Sequence, residues 1–170
     1  MRVTAWLAFC LSISPAFGKG GQRGWSVCGG DPGGAKYSAL AQINRETVRQ
    51  LQPAWIYRSG DTSTRPLSTI QCNPIVIDGV MFLTTPSLKL VALDAATGKE
   101  RWMFESPDQG ARGGVNRGVT YWADGDDRRI FHSVGSYLYA VNASTGELVR
   151  TFGRDGGAAR HVSGARGKRP

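Results

Sequence analysis

Apolar and polar positions alternate most clearly over Leu90–Trp102, LVALDAATGKERW. Val91 and Leu93 fall on one side of a pleat and Ala92 and Asp94 on the other, the period-2 pattern of a strand. Ala95–Lys99 supplies a turn. Asp94 and Thr97 have short polar side chains that bond nearby backbone, and Gly98 takes a positive φ at no steric cost. Arg101–Phe104 resumes as strand with two aromatics. The unit returns as Leu138–Arg150, LYAVNASTGELVR, at a constant offset of 48 residues. Asp94 falls on Asn142, Thr97 on Thr145, Gly98 on Gly146 and Trp102 on Arg150. A repeat of this period made of short strands predicts an all-β chain built as propeller blades, each a four-stranded sheet.

The remaining pattern fits the same unit. Lys19–Gly34 is glycine-rich and irregular, with Trp25 as its anchor. Asn44 is an N-cap residue for a short helix to about Leu51, with Ile43, Val48 and Leu51 on one apolar side, and Pro53 ends it. Ala54–Arg58 reads as a strand whose Trp55 falls on Trp102 at an offset of 47, so the last strand of an earlier blade is expected there. Pro74–Ile77 and Val80–Thr85 form a hairpin about Asp78-Gly79. Leu88–Asp94 opens the repeat strand, and Gly118–Trp122 is a strand before the charged turn Asp124–Arg129. Arg129–Val134 and Tyr137–Asn142 pair about Gly135-Ser136, and Leu148–Phe152 closes the second repeat. After Gly153 the composition loses its aromatic residues and keeps one valine, so it cannot bury a core. The chain is thus divided into a signal peptide (1–18), an N-terminal segment with a short helix (19–52), partial blades (53–153) and a basic disordered tail (154–170).

Length limits the picture. A closed propeller needs about four or more blades of ~40–50 residues, which exceeds this chain of 170 residues. The change of character in the tail reads either as a basic arm or as a truncation or reading-frame shift near Gly157, and the second is expected. An isolated pair of blades exposes strand edges and is expected to be poorly soluble. The formal charge of +8 would suit nucleic acid, but half of it sits in the tail, in Arg154, Arg160, Arg166, Lys168 and Arg169 against Asp155. No nucleic-acid partner is expected, because the rest of the chain is mixed in sign. Arg2, the apolar run Val3–Ser14 and the small residues of Ala16-Phe17-Gly18 read as an export signal cut after Gly18. A lipoprotein cut at Cys10, or a retained anchor, would instead leave the protein on a membrane. Export predicts an oxidising, periplasmic setting. Cys28 and Cys72 then either form one disulfide or stay as thiols, which sequence spacing leaves open. No zinc site is expected, since no Cys-x-x-Cys occurs and His132 and His161 are far apart.

Several ordered segments resemble the pyrroloquinoline-quinone (PQQ)-dependent glucose and alcohol dehydrogenases. GGDPGGAKYSALAQINRETVRQLQPAWIYRSGD (29–61) looks like the N-terminal signature of that family. NPIVIDGVMFLTTP (73–86) looks like its first central hairpin, ALDAATGKERW (92–102) like its tryptophan-docking repeat and GVNRGVTYW (114–122) like the start of the next blade. The resemblance implies about two to three partial blades of an eight-bladed propeller, with PQQ and a calcium ion on the axis. It implies oxidation of a sugar or alcohol, with electrons passed to a quinone or cytochrome. It also implies that Trp55 and Trp102 stack on the turn of a neighbouring blade, a contact that Arg150 does not make.

The resemblance is carried to the site one residue at a time. Arg117, in VNRG, matches the arginine that faces the quinone carboxylates, a role suited to a guanidinium fork. Asn116 stands beside it, either at the cofactor or shaping the turn. Gln71 matches a position usually held by a cofactor-bonding glutamate, and it keeps hydrogen-bonding capacity without the charge. Ala111 and Arg112 stand where the methanol and ethanol enzymes carry adjacent cysteines, which leans toward the sugar-oxidising or another branch. The calcium ligands and catalytic aspartate belong to later blades in the family, so no catalytic or metal residue is assigned. Asp94 and Asp124–Asp127 are turn residues, and the chain alone is expected to be inactive. A non-enzymatic propeller scaffold, as in outer-membrane assembly lipoproteins, is the alternative, and Gln71 suits it. A non-functional remnant is the third reading.

Overall fold

The computed structural model describes residues 24–65, 67–107 and 115–159. The export signal, the Ala111-Arg112 positions and the tail beyond residue 159 lie outside them. Two antiparallel four-stranded sheets make up the fold. The first runs β1 (Ile75–Ile77), β2 (Val80–Thr84), β3 (Leu90–Asp94) and β4 (Glu100–Phe104), in that spatial order. The second runs β5 (Thr120–Asp124), β6 (Asp127–Val134), β7 (Tyr137–Asn142) and β8 (Gly157–Ala159), again in order. This is the meander of a propeller blade, made twice.

The turns follow from their residues. Asp78 and Gly79 both have positive φ, 47° and 77°, as a two-residue hairpin loop that matches strand twist requires. After β3, the Asp94 carboxylate accepts hydrogen bonds from the Ala96 and Thr97 amides and the Thr97 hydroxyl, at 3.0–3.2 Å. After β7, the Asn142 carboxamide oxygen accepts from the Ser144 and Thr145 amides at 2.9 and 3.0 Å. Asn replaces Asp here without loss because the turn needs only an acceptor.

The sheets pack face to face through one shared core. Ile75, Phe82, Leu90, Ala92 and Phe104 meet Val119, Ile130, Val134, Tyr139 and Val141. Leu90–Leu93 of β3 are buried on both faces, which is why that strand reads as an unbroken apolar run. Trp55 and Trp102 dock as the repeat implied. The Trp55 indole N–H donates to the Ala95 carbonyl and that of Trp102 to the Ala143 carbonyl, both at 3.2 Å. Each ring lies on a glycine: a Cβ at Gly98 would stand 2.5 Å from Trp55, and one at Gly146 2.7 Å from Trp102.

A buried histidine adds a polar link between the sheets. His132 of β6 is completely enclosed, and its Nε2 donates to the Leu88 carbonyl of the β2–β3 turn at 2.8 Å. Its Nδ1 has no partner. Burial lowers its pKa below the ordinary 6.5, and the Leu88 hydrogen bond opposes this only in part.

Several segments differ from the sequence expectation, and the charged turn expected over Asp124–Arg129 narrows to Gly125-Asp126 between β5 and β6. Ala54–Arg58 is extended but joins no ladder among the described residues. It is held by Trp55 and by Tyr57, whose hydroxyl donates to the Glu100 carboxylate at 2.6 Å. The helix to Leu51 shrinks to one 3₁₀ turn, Val48–Gln50. Its N-cap is Thr47, which makes no side-chain cap bond, and Asn44 instead shapes the turn before it, its Oδ1 accepting from the Glu46 and Thr47 amides at 2.9 Å. The apolar side has nothing to pack against: Ile43, Val48 and Leu51 are 62%, 47% and 58% exposed, so the helix has no burial to extend it.

Leu148–Phe152 is likewise not a strand. It meets β7 through Leu148 and Val149 and then turns, the Phe152 amide donating to the Val149 carbonyl. Phe152 packs edge-on against Phe131 at 5.3 Å, and Gly153 and Gly156, with φ of 59° and 89°, reverse the chain. The first residues of the expected disordered tail therefore supply β8, which pairs with β7 from Tyr137↔Ala159 to Tyr139↔Gly157.

Two outcomes follow from these contacts. Gly146→Ala combines left-handed strain with overlap on Trp102 and is expected to cost about 2–4 kcal/mol in urea unfolding. Gly125→Ala, with φ of 57° but nothing within 4 Å, is expected to cost only about 1 kcal/mol. For His132, the unfolded chain takes up a proton as pH falls below 6.5 while the folded chain does not. Stability should therefore fall from about pH 7 to about pH 5, by at most ~1.4 kcal/mol per unit. His132→Leu should remove that component of the pH profile.

Candidate functional site

Strands β1 and β5 are the first, edge strands of their sheets, and both are approached from the same end. Gln71–Pro74 leads into β1 and Val115–Val119 leads into β5. These lead-in segments run side by side through a parallel bridge between Asn73 and Gly118. The Asn73 amide and its side-chain Nδ2 both donate to the Arg117 carbonyl, at 2.9 and 3.0 Å. A Cβ at Gly118 would stand 3.2 Å from the Asn73 carbonyl oxygen, so this approach requires glycine. Gln71 and Arg117 are thus brought to one end of the sheet pair, each within a residue or two of the same bridge.

Their side chains are available to a ligand. Both residues are exposed, and the Arg117 guanidinium forms no ion pair among the described residues. Asn116 differs. It is buried, its Nδ2 donates to the Ser133 carbonyl at 2.9 Å, and its Oδ1 accepts from the Gly118 amide at 2.7 Å. Of the two roles open to Asn116, the structure displays the turn-shaping one. A guanidinium and a carboxamide without side-chain partners among the described residues, held at one end of the sheet pair, fit a group that carries several carboxylates, as PQQ does.

A second node supports this end of the fold. Asp61 Oδ2 accepts from the Thr85 hydroxyl at 2.5 Å, from the Ser87 amide at 3.2 Å and from the Ser87 hydroxyl. Burial alone would raise this carboxyl. Hydrogen bonds from Ser59, Ser87 and Thr85 outweigh it and hold the pKa down to about 2. Asp61 thereby fastens the exit of Ala54–Arg58 to the β2–β3 turn that receives His132. Cys72 sits beside this turn and accepts from the Thr84 amide through Sγ at 3.3 Å. Cys72 and Cys28 are both free thiols.

Asn73 and Asp61 had no signal in the sequence, because each works through contacts with residues more than twenty positions away. Of the other aspartates, Asp94, Asp124 and Asp127 flank the turns and do not form them: they are the end residues of β3, β5 and β6. Asp94 pairs with Arg101 at 2.8 Å, which with the Thr97 bonds lowers its pKa to about 2. Asp127 pairs with Arg129, whose guanidinium lies 5.4 Å from the Trp122 ring centre. No cluster of three His, Cys, Asp or Glu side chains able to hold a metal occurs among the described residues. A cavity of about 250 Å³ opens between the sheets at the opposite, hairpin end, beside Trp102 and Tyr121. The arginines lining it, Arg101 and Arg128, are already paired with Asp94 and Asp78.

Comparison with known proteins points the same way. Residues 25–164 match the family model "PQQ: Glucose/ethanol/alcohol dehydrogenase, beta-propeller domain". Quinoprotein glucose dehydrogenase A of Acinetobacter calcoaceticus is 34% identical over 157 residues, covering 78% of this chain and 20% of that protein. The dehydrogenase subunit of the alcohol dehydrogenase (quinone) of Gluconacetobacter polyoxogenes is 38% identical over 131 residues, covering 74% of this chain and 17% of the relative. Among solved structures, quinohemoprotein alcohol dehydrogenase from Comamonas testosteroni superposes with a TM-score of 0.63 at 27% identity, over 74% of this chain and 18% of that one. This chain spans about a fifth of the length of these curated relatives. With the two blades, their tryptophan docking and this match over most of its residues, the chain belongs to the β-propeller domain family of PQQ-dependent glucose, ethanol and alcohol dehydrogenases.

Proposed function

We propose that this chain forms one wall of the cofactor site of an exported quinoprotein dehydrogenase that oxidises a sugar or an alcohol. The observation that carries the reading is the placement of Arg117 and Gln71 on adjacent segments leading into the first strands of the two sheets, with the Arg117 guanidinium unpaired among the described residues. When bound, PQQ supplies a two-electron acceptor, and a calcium ion beside it supplies a Lewis acid. Arg117 binds a cofactor carboxylate through its planar fork, and Gln71 adds a neutral hydrogen bond. Asn116 backs Arg117 by fixing the turn from behind. A quinone or a cytochrome would serve as the electron acceptor. The export signal directs the protein to the periplasm, where a retained anchor would hold it at the membrane.

No catalytic base is assigned among the described residues, and no cluster of three metal-binding side chains occurs among them, so these residues alone are expected to bind without turning over. The scaffold reading draws on Gln71, which lacks the charge of the usual glutamate. Cofactor binding separates the two. In a titration with PQQ and calcium, the wild-type chain should quench its tryptophan fluorescence saturably. Arg117→Ala should weaken binding at least about tenfold, the effect of losing a hydrogen-bonded charge of ~1.5–3 kcal/mol. Equal affinity of both proteins, or none in either, would favour the scaffold. Reduction of a dye acceptor with glucose or ethanol by these 170 residues would overturn the division of labour.

A further inference from the structure

The peptide plane between Arg117 and Gly118 is held at both of its polar ends. Its carbonyl accepts two hydrogen bonds from Asn73, one from the backbone and one from Nδ2. Its N–H donates to Asn116 Oδ1, and the other end of the Asn116 carboxamide is fixed on the Ser133 carbonyl. Asn73 belongs to the segment leading into the first sheet, Asn116 and Ser133 to the second. A peptide group pinned through both its oxygen and its hydrogen cannot rotate about its flanking bonds, so ψ of Arg117 and φ of Gly118 are set together. The Arg117 side chain has no hydrogen bond or ion pair of its own among the described residues. Its direction is therefore inherited from this plane.

We infer that Asn73 is a positioning residue: from the first blade it sets the direction in which Arg117 of the second blade presents its guanidinium to a carboxylate-bearing ligand. The inference rests on the cofactor reading of Arg117 but concerns a different residue, whose side chain touches protein and not ligand. Asn73 supplies what Arg117 lacks, a fixed approach, so the rotational freedom of a long exposed side chain is reduced before the ligand arrives. It also makes the site depend on blade register. A sliding of one sheet past the other would release the Asn73 bonds before it disturbed the buried core.

The test uses the full chain as wild type, Asn73→Ala, Arg117→Ala and the double variant. Without cofactor, amide hydrogen exchange of Gly118 should quicken about fivefold in Asn73→Ala, the effect of one neutral hydrogen bond. The amides of β3 should exchange at their wild-type rates. With PQQ as probe, Asn73→Ala should bind about fivefold more weakly, and the double variant no more weakly than Arg117→Ala alone. Unchanged exchange at Gly118, equal quickening in β3, or additive losses in the double variant would each overturn the positioning role. If the wild-type chain fails to bind PQQ, the cofactor reading falls, and the exchange rates still decide whether Asn73 holds the Arg117 plane.

Discussion

An indole lying on a glycine is the contact on which the rest of this structure depends. Each sheet offers its neighbour very little specific geometry: two pleated apolar faces will pack at several offsets. Trp55 and Trp102 remove that freedom. A flat ring fits only where the turn has no Cβ, and its N–H finds a carbonyl only at one height, at Ala95 or Ala143. The contact therefore fixes rotation and translation of one blade on the next, while the core of Phe82, Leu90, Ile130 and Val141 supplies the burial energy. The turn needs Gly98 or Gly146 twice over, for its left-handed backbone and for its empty side, which makes it far more restrictive than an ordinary hairpin loop.

The functional end is built on that register. Gln71 precedes one blade and Arg117 the next, and neither is near the other in sequence. Only because the sheets are locked do the segments leading into them run parallel through Asn73 and Gly118. Asp61 has a related task. It ties the segment bearing Trp55 to the β2–β3 turn, so the docked ring, the turn that holds His132 and the start of the first blade beside Cys72 form one connected unit. Charge at this end is distributed accordingly. The Asp61 carboxylate, which serves structure, is hydrogen-bonded and held ionised, whereas the Arg117 guanidinium is exposed and forms no ion pair among the described residues.

The strands were legible where side-chain period and turn chemistry agreed. Leu90–Leu93, the Asp78-Gly79 hairpin and both strand–turn units could be placed to within one or two residues, because burial and backbone conformation make the same demand there. Ala54–Arg58 misled because its residues suit a strand but ladder bonds come from a partner, which composition does not report. Gly157–Ala159 misled in the opposite direction. Its small residues carry no core signal, yet a strand of glycine and alanine needs only backbone to pair with β7. At the candidate site, Arg117 and Gln71 were suggested by resemblance, and the pairing of their segments lies in backbone contacts that residue types do not report. Asn73 was invisible, since an asparagine before a proline looks like any strand boundary.

Arg150 carries a consequence of its own. The docking contact has a sense of direction: a ring leaves the last strand of one blade and lands on the turn of the next. The first sheet both receives a ring, from Trp55, and sends one, from Trp102. The second receives at Gly146 but has an arginine where its sending residue would stand, and the chain there peels away to Phe131. The relay of orientation thus stops at the second blade. Any surface that meets its outward face is free to choose its own angle.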